Sequence, residues 1–188
     1  MIDKYDVYTD GACSNNQASG GQPGGWGVVF TDGRKYFGGD PSTTNNRMEL
    51  KAAIEALKNT PIGSEVNIYS DSAYVINAFN QKWIPNWIKN GWKTSKGKPV
   101  ENQDLWMELL DLEKERNVKW IKVKGHSGNK WNELADKLAV DAIPSEPKVI
   151  LALSKRNYSL LLKVVKELAT KDPTFIGLFR ELSQDNNS

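Results

Sequence analysis

Residues 44–70 read TNNRMELKAAIEALKNTPIGSEVNIYS, and this stretch decides the fold. The part from Arg47 to Lys58 is rich in Met, Leu, Ala, Glu and Lys, which favour helix, and Pro61 ends the pattern. The part from Glu65 to Ser70 alternates apolar and polar side chains, which is typical of a strand. A helix that leads into a strand predicts a crossover connection, and crossovers join parallel strands.

Three shorter strands are predicted before this stretch. Tyr5 to Asp10 alternates, Trp26 to Phe30 is an apolar run, and Lys35 to Phe37 follows a turn at Asp32-Gly33. Clusters of Gly and Asn separate them, as hairpins require. We therefore expect an antiparallel meander, with the helix after Thr44 crossing back to the first strand.

The rest of the first 143 residues adds helices and one strand. The predicted elements are a helix starting near Ser72, a helix from about Asn102 to Glu115, a strand from Asn117 to Val123, a loop from Gly125 to Gly128, and a helix from Lys130 to Ala142. The sequence therefore predicts an α/β fold with a five-stranded mixed sheet, three antiparallel strands and then parallel ones, flanked by helices.

The segment Pro144-Ser145-Glu146-Pro147 breaks the pattern and predicts a domain boundary. We expect one domain over residues 1–143 and a helical C-terminal extension over residues 144–188. Two helices are predicted in the extension, over residues 149–170 and 173–183. Three roles stay open for it: a brace packed on the domain, a docking surface for another protein or a second copy, and a basic face that adds nucleic-acid affinity.

Composition excludes several classes of protein. The chain has 188 residues, a hydrophobic fraction of 39% and, at +2, almost no net charge, and its mean hydropathy is -0.56; these values fit a globular protein rather than a disordered one. No apolar run approaches the length of a membrane span, and the N-terminus does not resemble a signal peptide. The single cysteine, Cys13, cannot form an internal disulfide. We expect a cytoplasmic monomer.

Positive charge is concentrated in residues 82–98, which we call the basic segment. It contains five lysines and no acidic residue, and tryptophans lie between the lysines. Such a local field predicts binding to phosphates even on a nearly neutral protein. Two roles remain open for the tryptophans, stacking on substrate or packing the segment onto the domain.

Acidic residues are predicted to meet at one edge of the sheet. Asp10 ends the first predicted strand and Asp71 follows the fourth, so parallel pairing would bring them together. Glu49 lies in the first turns of the crossover helix, and Asp136 on the last helix of the domain could close the group. Clustered carboxylates repel one another unless cations intervene, and Mg²⁺ with its preference for oxygen ligands is the usual cation.

Four local sequences carry a specific resemblance. They are Tyr8-Thr9-Asp10-Gly11-Ala12-Cys13, Thr44-Asn45-Asn46-Arg47-Met48-Glu49-Leu50, Tyr69-Ser70-Asp71-Ser72, and Lys124-Gly125-His126-Ser127-Gly128 with Asn132-Glu133-Leu134-Ala135-Asp136. In this order and spacing they resemble the signature segments of the type 1 ribonuclease H family in its bacterial form. The resemblance covers residues 3 to about 142 and implies the ribonuclease H-like fold.

The resemblance also implies an activity and a cofactor. It implies an endoribonuclease that hydrolyses the RNA strand of RNA–DNA hybrids and leaves 5′-phosphate and 3′-hydroxyl ends. Asp10, Glu49, Asp71 and Asp136 would bind two Mg²⁺ ions in each active site, with Mn²⁺ as a possible substitute. Two such ions activate a water and stabilise a leaving oxygen. His126, on a loop between glycines, would assist proton transfer or product release.

Substrate contacts are implied in the same way. The residues matching positions that read the 2′-OH groups of the RNA strand are Cys13, Asn16, Asn45 and Asn46, and those matching a phosphate site for the DNA strand are Thr44, Arg47 and Asn102. From the basic segment we expect contacts by Lys82, Trp83, Lys89, Trp92, Lys93 and Lys96. Some relatives carry Gln where this chain has Ala73, so one minor-groove contact is absent or supplied elsewhere.

Two rival functions are kept. A non-catalytic nucleic-acid-binding module of the same fold would lack a carboxylate, but all four are present here. A domain of a polymerase or transposase would belong to a much longer chain.

Overall fold

The computed structural model describes residues 2–14, 21–144 and 167. The residues up to Pro144 form one compact unit, and residues from Ser145 onward form another. The elements of the first unit are β1 (Lys4–Cys13), β2 (Gln22–Phe30), β3 (Lys35–Thr43), α1 (Asn45–Lys58), β4 (Glu65–Ser70), α2 (Ala73–Asn80), α3 (Trp83–Lys89), α4 (Gln103–Lys114), β5 (Asn117–Lys122) and α5 (Lys130–Asp141).

The five strands form one mixed sheet in the order β3-β2-β1-β4-β5. β1 pairs antiparallel with β2, and β2 pairs antiparallel with β3. β4 lies parallel to both β1 and β5. The predicted fold class is therefore confirmed, including the crossover by α1 that returns the chain beside β1.

Helices cover the two faces of this sheet. A side chain added at Gly24 of β2 would meet Met48 of α1, whereas one added at the next residue, Gly25, would meet the carbonyl of Ala139 in α5. Since successive strand residues point to opposite faces, α1 and α5 lie on opposite sides. The main core contains Val7, Val28, Leu50, Ile68 and Trp106 on the α1 side, and burying such side chains is the dominant stabilising term of a domain this size.

Strands β1, β2 and β3 are longer than the sequence predicted. β1 continues to Cys13 rather than ending at Asp10, β2 begins at Gln22 rather than Trp26, and β3 continues to Thr43 rather than stopping at Phe37. The predictions were wrong because glycine clusters were taken as turns. Gly25 and Gly39 lie within strands instead. Glycine is needed at both positions because an added Cβ would come within 2.1–2.2 Å of the carbonyls of Ala139 and Ala142.

Most other boundaries differ from prediction by one or two residues, but α3 was missed. This seven-residue helix lies in the basic segment, for which no helix was predicted, and it contains Pro85. Pro85 is the third residue of α3, where no intrahelical N–H bond is required of it. The helices predicted for residues 149–170 and 173–183 lie outside the described residues, apart from Glu167, which is helical. In the part of the chain that is described, no helix is both long and apolar enough to cross a membrane.

Candidate active site

Three of the four predicted carboxylates meet at one edge of the sheet. Asp10, Glu49 and Asp71 each present an oxygen within 4.8 Å of the others. Asp71 directly follows β4, as predicted. Asp10 lies inside β1 rather than at its end, but the parallel β1–β4 ladder stops at Tyr8↔Tyr69, so continuing that register by two residues puts Asp10 level with Asp71.

Two glycines allow this close assembly. A Cβ on Gly11 would lie 2.3 Å from the backbone nitrogen of Glu49, so only glycine lets α1 pack this tightly against β1. A Cβ on Gly125 would lie 2.5 Å from Asp71 Oδ2, so any larger residue there would push that carboxylate oxygen aside. Both glycines sit in the quoted signature segments, and the structure gives a steric reason for each.

Few hydrogen-bond donors serve these carboxylates. The Gly11 backbone N–H donates to Asp10 at 2.8 Å, the Asn45 amide to Glu49 at 3.4 Å, and the Asn132 amide to Asp71 at 3.2 Å. Among the described residues, Glu49 Oε2 is buried with no hydrogen-bond partner. The ion pairs between described residues do not include Asp10, Glu49 or Asp71. Negative charge is therefore concentrated with little to balance it.

The proton affinities follow from that imbalance. Burial, and then the nearby charges of Asp71 and Asp136, raise the pKa of Asp10 to about 7. Burial, and then repulsion by Asp10 and Asp71, raise the pKa of Glu49 well above its ordinary value. In the absence of a cation the protein therefore holds protons here at pH values where free carboxylic acids have lost theirs.

Asp136 and His126, the other two predicted catalytic residues, lie outside the trio of acids. Asp136, half-buried on α5, is close enough to raise the pKa of Asp10 but lies outside the trio that meets within 4.8 Å. His126 is exposed in the loop between β5 and α5, with a left-handed φ of 49°. Histidine adopts this conformation more readily than most residues.

The residues present fit a hard divalent cation. The donors are carboxylate oxygens, which such ions prefer, and one of them, Glu49 Oε2, is buried without a partner. A cation would remove the mutual repulsion that raises the pKa values of Asp10 and Glu49. The structure therefore contains an acidic triad able to bind metal.

Comparison with known proteins fits this geometry. The sequence model of the family described as RNase H matches residues 3–144. The chain belongs to the ribonuclease H family. The ribonuclease H of Caldanaerobacter subterraneus subsp. tengcongensis is 53% identical over 146 residues, which cover 76% of this chain and 93% of the relative. The ribonuclease H of Acetivibrio thermocellus is 49% identical over 148 residues, covering 77% of this chain and 98% of the relative.

A solved structure agrees with these relatives. LC9-RNase H1, described as a type 1 RNase H with the type 2 active-site motif, superimposes with a TM-score of 0.67 at 33% identity and covers 76% of this chain and 73% of its own. The predicted membership of the type 1 ribonuclease H family, its fold and its class as a hydrolytic nuclease are thereby confirmed.

Five of the predicted substrate-binding residues lie at or beside the start of α1. Thr44 caps the helix by accepting a hydrogen bond from the Arg47 N–H, and the Arg47 guanidinium donates to Asn102 Oδ1 at 3.4 Å. Asn45 and Asn46 begin the helix. The Cys13 thiol, at the end of β1, points at the Pro23 carbonyl 3.4 Å away. Asn16 lies outside the described residues.

The lysines and tryptophans of the basic segment lie in different surroundings. Lys82, Lys89, Lys93 and Lys96 are exposed. Trp83, Trp87 and Trp92 are partly buried against the main core, and the Trp87 ring lies 5.5 Å from that of Trp106. The tryptophans therefore pack the basic segment onto the domain, which is one of the two roles left open for them. A contact of Trp83 or Trp92 with substrate stays a prediction.

Sequence reasoning missed two residues that form hydrogen bonds with predicted site residues. Asn132, which is 2% exposed and donates to Asp71, was quoted in the fourth signature segment but given no role. Tyr74 was not considered, yet its hydroxyl accepts hydrogen bonds from Asn102 and from the Trp106 indole. The position of Asn132 four residues before Asp136 puts both on one helix face and was a usable signal.

Proposed function

We propose that this chain is an endoribonuclease that hydrolyses the RNA strand of RNA–DNA hybrids and leaves 5′-phosphate and 3′-hydroxyl ends. The observation that carries the proposal is the convergence of Asp10, Glu49 and Asp71 within 4.8 Å in a chain of the ribonuclease H family. A family member that only bound nucleic acid would have no need for a buried carboxylate oxygen without a partner.

We assign Asp10, Glu49, Asp71 and Asp136 as ligands of two Mg²⁺ ions, which Mn²⁺ can replace. Support comes from the all-oxygen donor set and from the unpartnered Glu49 oxygen. When bound, two such ions supply an activated water and stabilise the leaving oxygen of a phosphodiester. The protein supplies a rigid frame, because the ligands lie on β1, on α1, directly after β4, and on α5.

Protons must leave the site as the ions enter. Asp10, with a pKa of about 7, is still partly protonated in neutral buffer without metal. Metal affinity should therefore increase with pH through this range. His126 is exposed on the loop that Gly125 holds beside Asp71, and we assign it to proton transfer or product release.

Substrate recognition divides between the two strands of the hybrid. We assign Cys13, Asn16, Asn45 and Asn46 to the 2′-OH groups of the RNA strand. Thr44, Arg47 and Asn102 form the proposed phosphate site for the DNA strand, at the N-terminus of a 14-residue helix where anions are favoured. The exposed lysines of the basic segment would add contacts to phosphates independent of sequence.

A cleavage assay tests the proposal. Labelled RNA–DNA hybrid, duplex RNA and duplex DNA are incubated with enzyme in Mg²⁺ or in EDTA, and the products are resolved on a denaturing gel. Only the RNA strand of the hybrid should be cut, and only with metal. Asp71→Asn should abolish cutting while hybrid binding persists. Substantial cleavage by Asp71→Asn in Mg²⁺, or binding of hybrid without cleavage by the wild type, contradicts the proposal.

Three further predictions concern the whole chain. We propose that residues 1–143 are the catalytic domain and that residues 144–188 are an extension that packs on the domain or docks another protein. Sedimentation of the full chain against one ending at Ile143 would test both this division and the predicted monomer. The cytoplasmic location also stays a prediction, which cell fractionation would test.

A further inference from the structure

The phosphate site proposed above already holds an anion from the protein itself. In Arg47, Nη1 lies 3.0 Å from Asp104 Oδ1 and Nη2 lies 2.7 Å from Asp104 Oδ2. The contact is a bidentate ion pair between a guanidinium and a carboxylate. Arg47 belongs to the first turn of α1, and Asp104 to the first turn of α4, so two separate helices bring the pair together.

The Asp104 carboxylate has the geometry of a competing ligand. Carboxylates and phosphates both present paired oxygens to the two terminal nitrogens of a guanidinium. Both terminal nitrogens of Arg47 are engaged by Asp104. A phosphate therefore cannot take the same two donors until the carboxylate leaves.

The distribution of charge at the start of α1 also makes Asp104 a competitor for an incoming anion. The first turn of this described helix contains no acidic residue, although the N-terminal end of a helix favours an anion. Asp104 supplies negative charge there from α4, and Arg47 in turn lowers the pKa of the Asp104 carboxyl through their hydrogen bonds. The pair is accessible, with the Asp104 side chain 61% exposed and the Arg47 side chain 36% exposed.

The neighbouring Asn102 does not depend on Asp104 for its position. Its amide donates to the Tyr74 hydroxyl at 3.1 Å, and the Trp106 indole donates to the same hydroxyl at 3.0 Å. Trp106 is fully buried, which anchors this network to the core. Removing the charge of Asp104 should thus free Arg47 without displacing Asn102.

We propose that Asp104 is an internal competitor for the phosphate site at Arg47, so that hybrid binding exchanges the carboxylate for a phosphate on the same guanidinium. The inference rests on the proposed phosphate role of Arg47. It makes Asp104 a determinant of substrate affinity and leaves the chemistry at the carboxylate site untouched.

The chain offers a matched control for the test. Glu108 lies one turn further along α4 and forms an exposed ion pair with Lys58 at 2.7 Å. Asp104→Asn and Glu108→Gln each remove one negative charge from the same helix, but only the first frees Arg47. Binding of RNA–DNA hybrid is measured by fluorescence anisotropy over a salt titration, in an Asp71→Asn background that prevents cleavage. Circular dichroism checks that each variant is folded.

Asp104→Asn should bind hybrid about two- to fivefold more tightly than Glu108→Gln, which is the range spanned by exposed ion pairs. In otherwise wild-type enzyme the same substitution should lower KM and leave kcat unchanged. In an Arg47→Ala background, Asp104→Asn should change affinity no more than Glu108→Gln does, because no guanidinium remains to be freed.

Each other outcome overturns the inference. Weaker binding by Asp104→Asn would mean that Asp104 orients Arg47 for the phosphate. Equal affinities of Asp104→Asn and Glu108→Gln would mean that the Arg47–Asp104 ion pair does not weaken hybrid binding. An effect of Asp104→Asn that persists in the Arg47→Ala background would mean that the effect does not act through Arg47. Failure of the proposed function looks different, because the unsubstituted chain would then fail to cleave the hybrid in Mg²⁺, whether or not it binds it.

Discussion

Replacing Asp10 by Asn should stabilise the protein in the absence of metal, and by more at neutral pH than in acid. Asp10 has its pKa raised from 3.8 to about 7, first by burial and then by Asp71 and Asp136. A carboxyl group whose pKa is higher in the folded state binds its proton more tightly there. Its ionisation therefore costs stability progressively as the pH rises from its unfolded pKa to its folded one.

The magnitude follows from the size of the shift. A pKa difference of about three units, at about 1.4 kcal/mol per unit, amounts to about 4 kcal/mol near pH 7. Near pH 5 only about 2 kcal/mol of this is incurred, because Asp10 is still mostly protonated in the folded state. Asn carries no charge at either pH, so the stabilisation by Asp10→Asn should grow by about 2 kcal/mol over this interval.

Urea unfolding in EDTA at pH values between these two measures the effect. Asp111→Asn is the control, since Asp111 is 73% exposed and, among the residues that the structure describes, forms an ion pair only with Lys114 on the surface of α4. The control should change the unfolding free energy by no more than a few tenths of a kcal/mol. Adding Mg²⁺ should stabilise the wild type and have a much smaller effect on Asp10→Asn. A destabilised Asp10→Asn, or a stabilisation independent of pH, would mean that ionisation of Asp10 does not destabilise the metal-free protein.

Three further predictions concern the surroundings of the site. Asn132→Ala should lower kcat by about 10- to 100-fold with hybrid affinity kept, because it removes the amide that holds Asp71; unchanged kcat would mean that Asp71 needs no such support. Gly125→Ala should lower kcat, since the new Cβ would lie 2.5 Å from Asp71 Oδ2. Gly128→Ala is the control, because Gly128 has φ +82° and an added Cβ there would meet no atom within 4 Å. This variant should lower the melting temperature while kcat is unchanged. Equal loss of kcat in both variants would mean that contact with Asp71 is not the cause. Trp87→Ala should lower the unfolding free energy by about 2–3 kcal/mol, measured in urea. Replacing Lys89, Lys93 and Lys96 with Ala should leave stability intact, raise KM and flatten the dependence of KM on salt. The reverse pattern would mean that the tryptophans bind substrate and the lysines support the fold.

The topology could be predicted because local patterns agreed with one another. A helix-forming stretch between two predicted strands indicated a crossover, and the crossover in turn predicted parallel neighbours and a shared acidic edge. The three acids that meet in the structure follow from that chain of inference. The error in the predicted end of β1 did not affect this prediction, because Asp10 and Asp71 are aligned by the β1–β4 register, continued by two residues.

Close backbone contacts could not be predicted from local patterns. Glycine in sequence indicates a turn, but Gly25 and Gly39 lie in strands, where glycine is needed because the backbone at and just after α5 lies against them. That reason exists only once the chain has folded. The contact of Arg47 with Asp104 is of the same kind, because it joins residues 57 positions apart through the packing of α1 against α4.

Anomalous diffraction from crystals soaked in Mn²⁺ is the most direct test of the acidic site. Anomalous peaks are expected between Asp10, Glu49 and Asp71, with Asp136 at the margin, and they should be lost in Asp10→Asn crystals. Well-ordered wild-type crystals with no anomalous peak among these carboxylates would contradict this expectation.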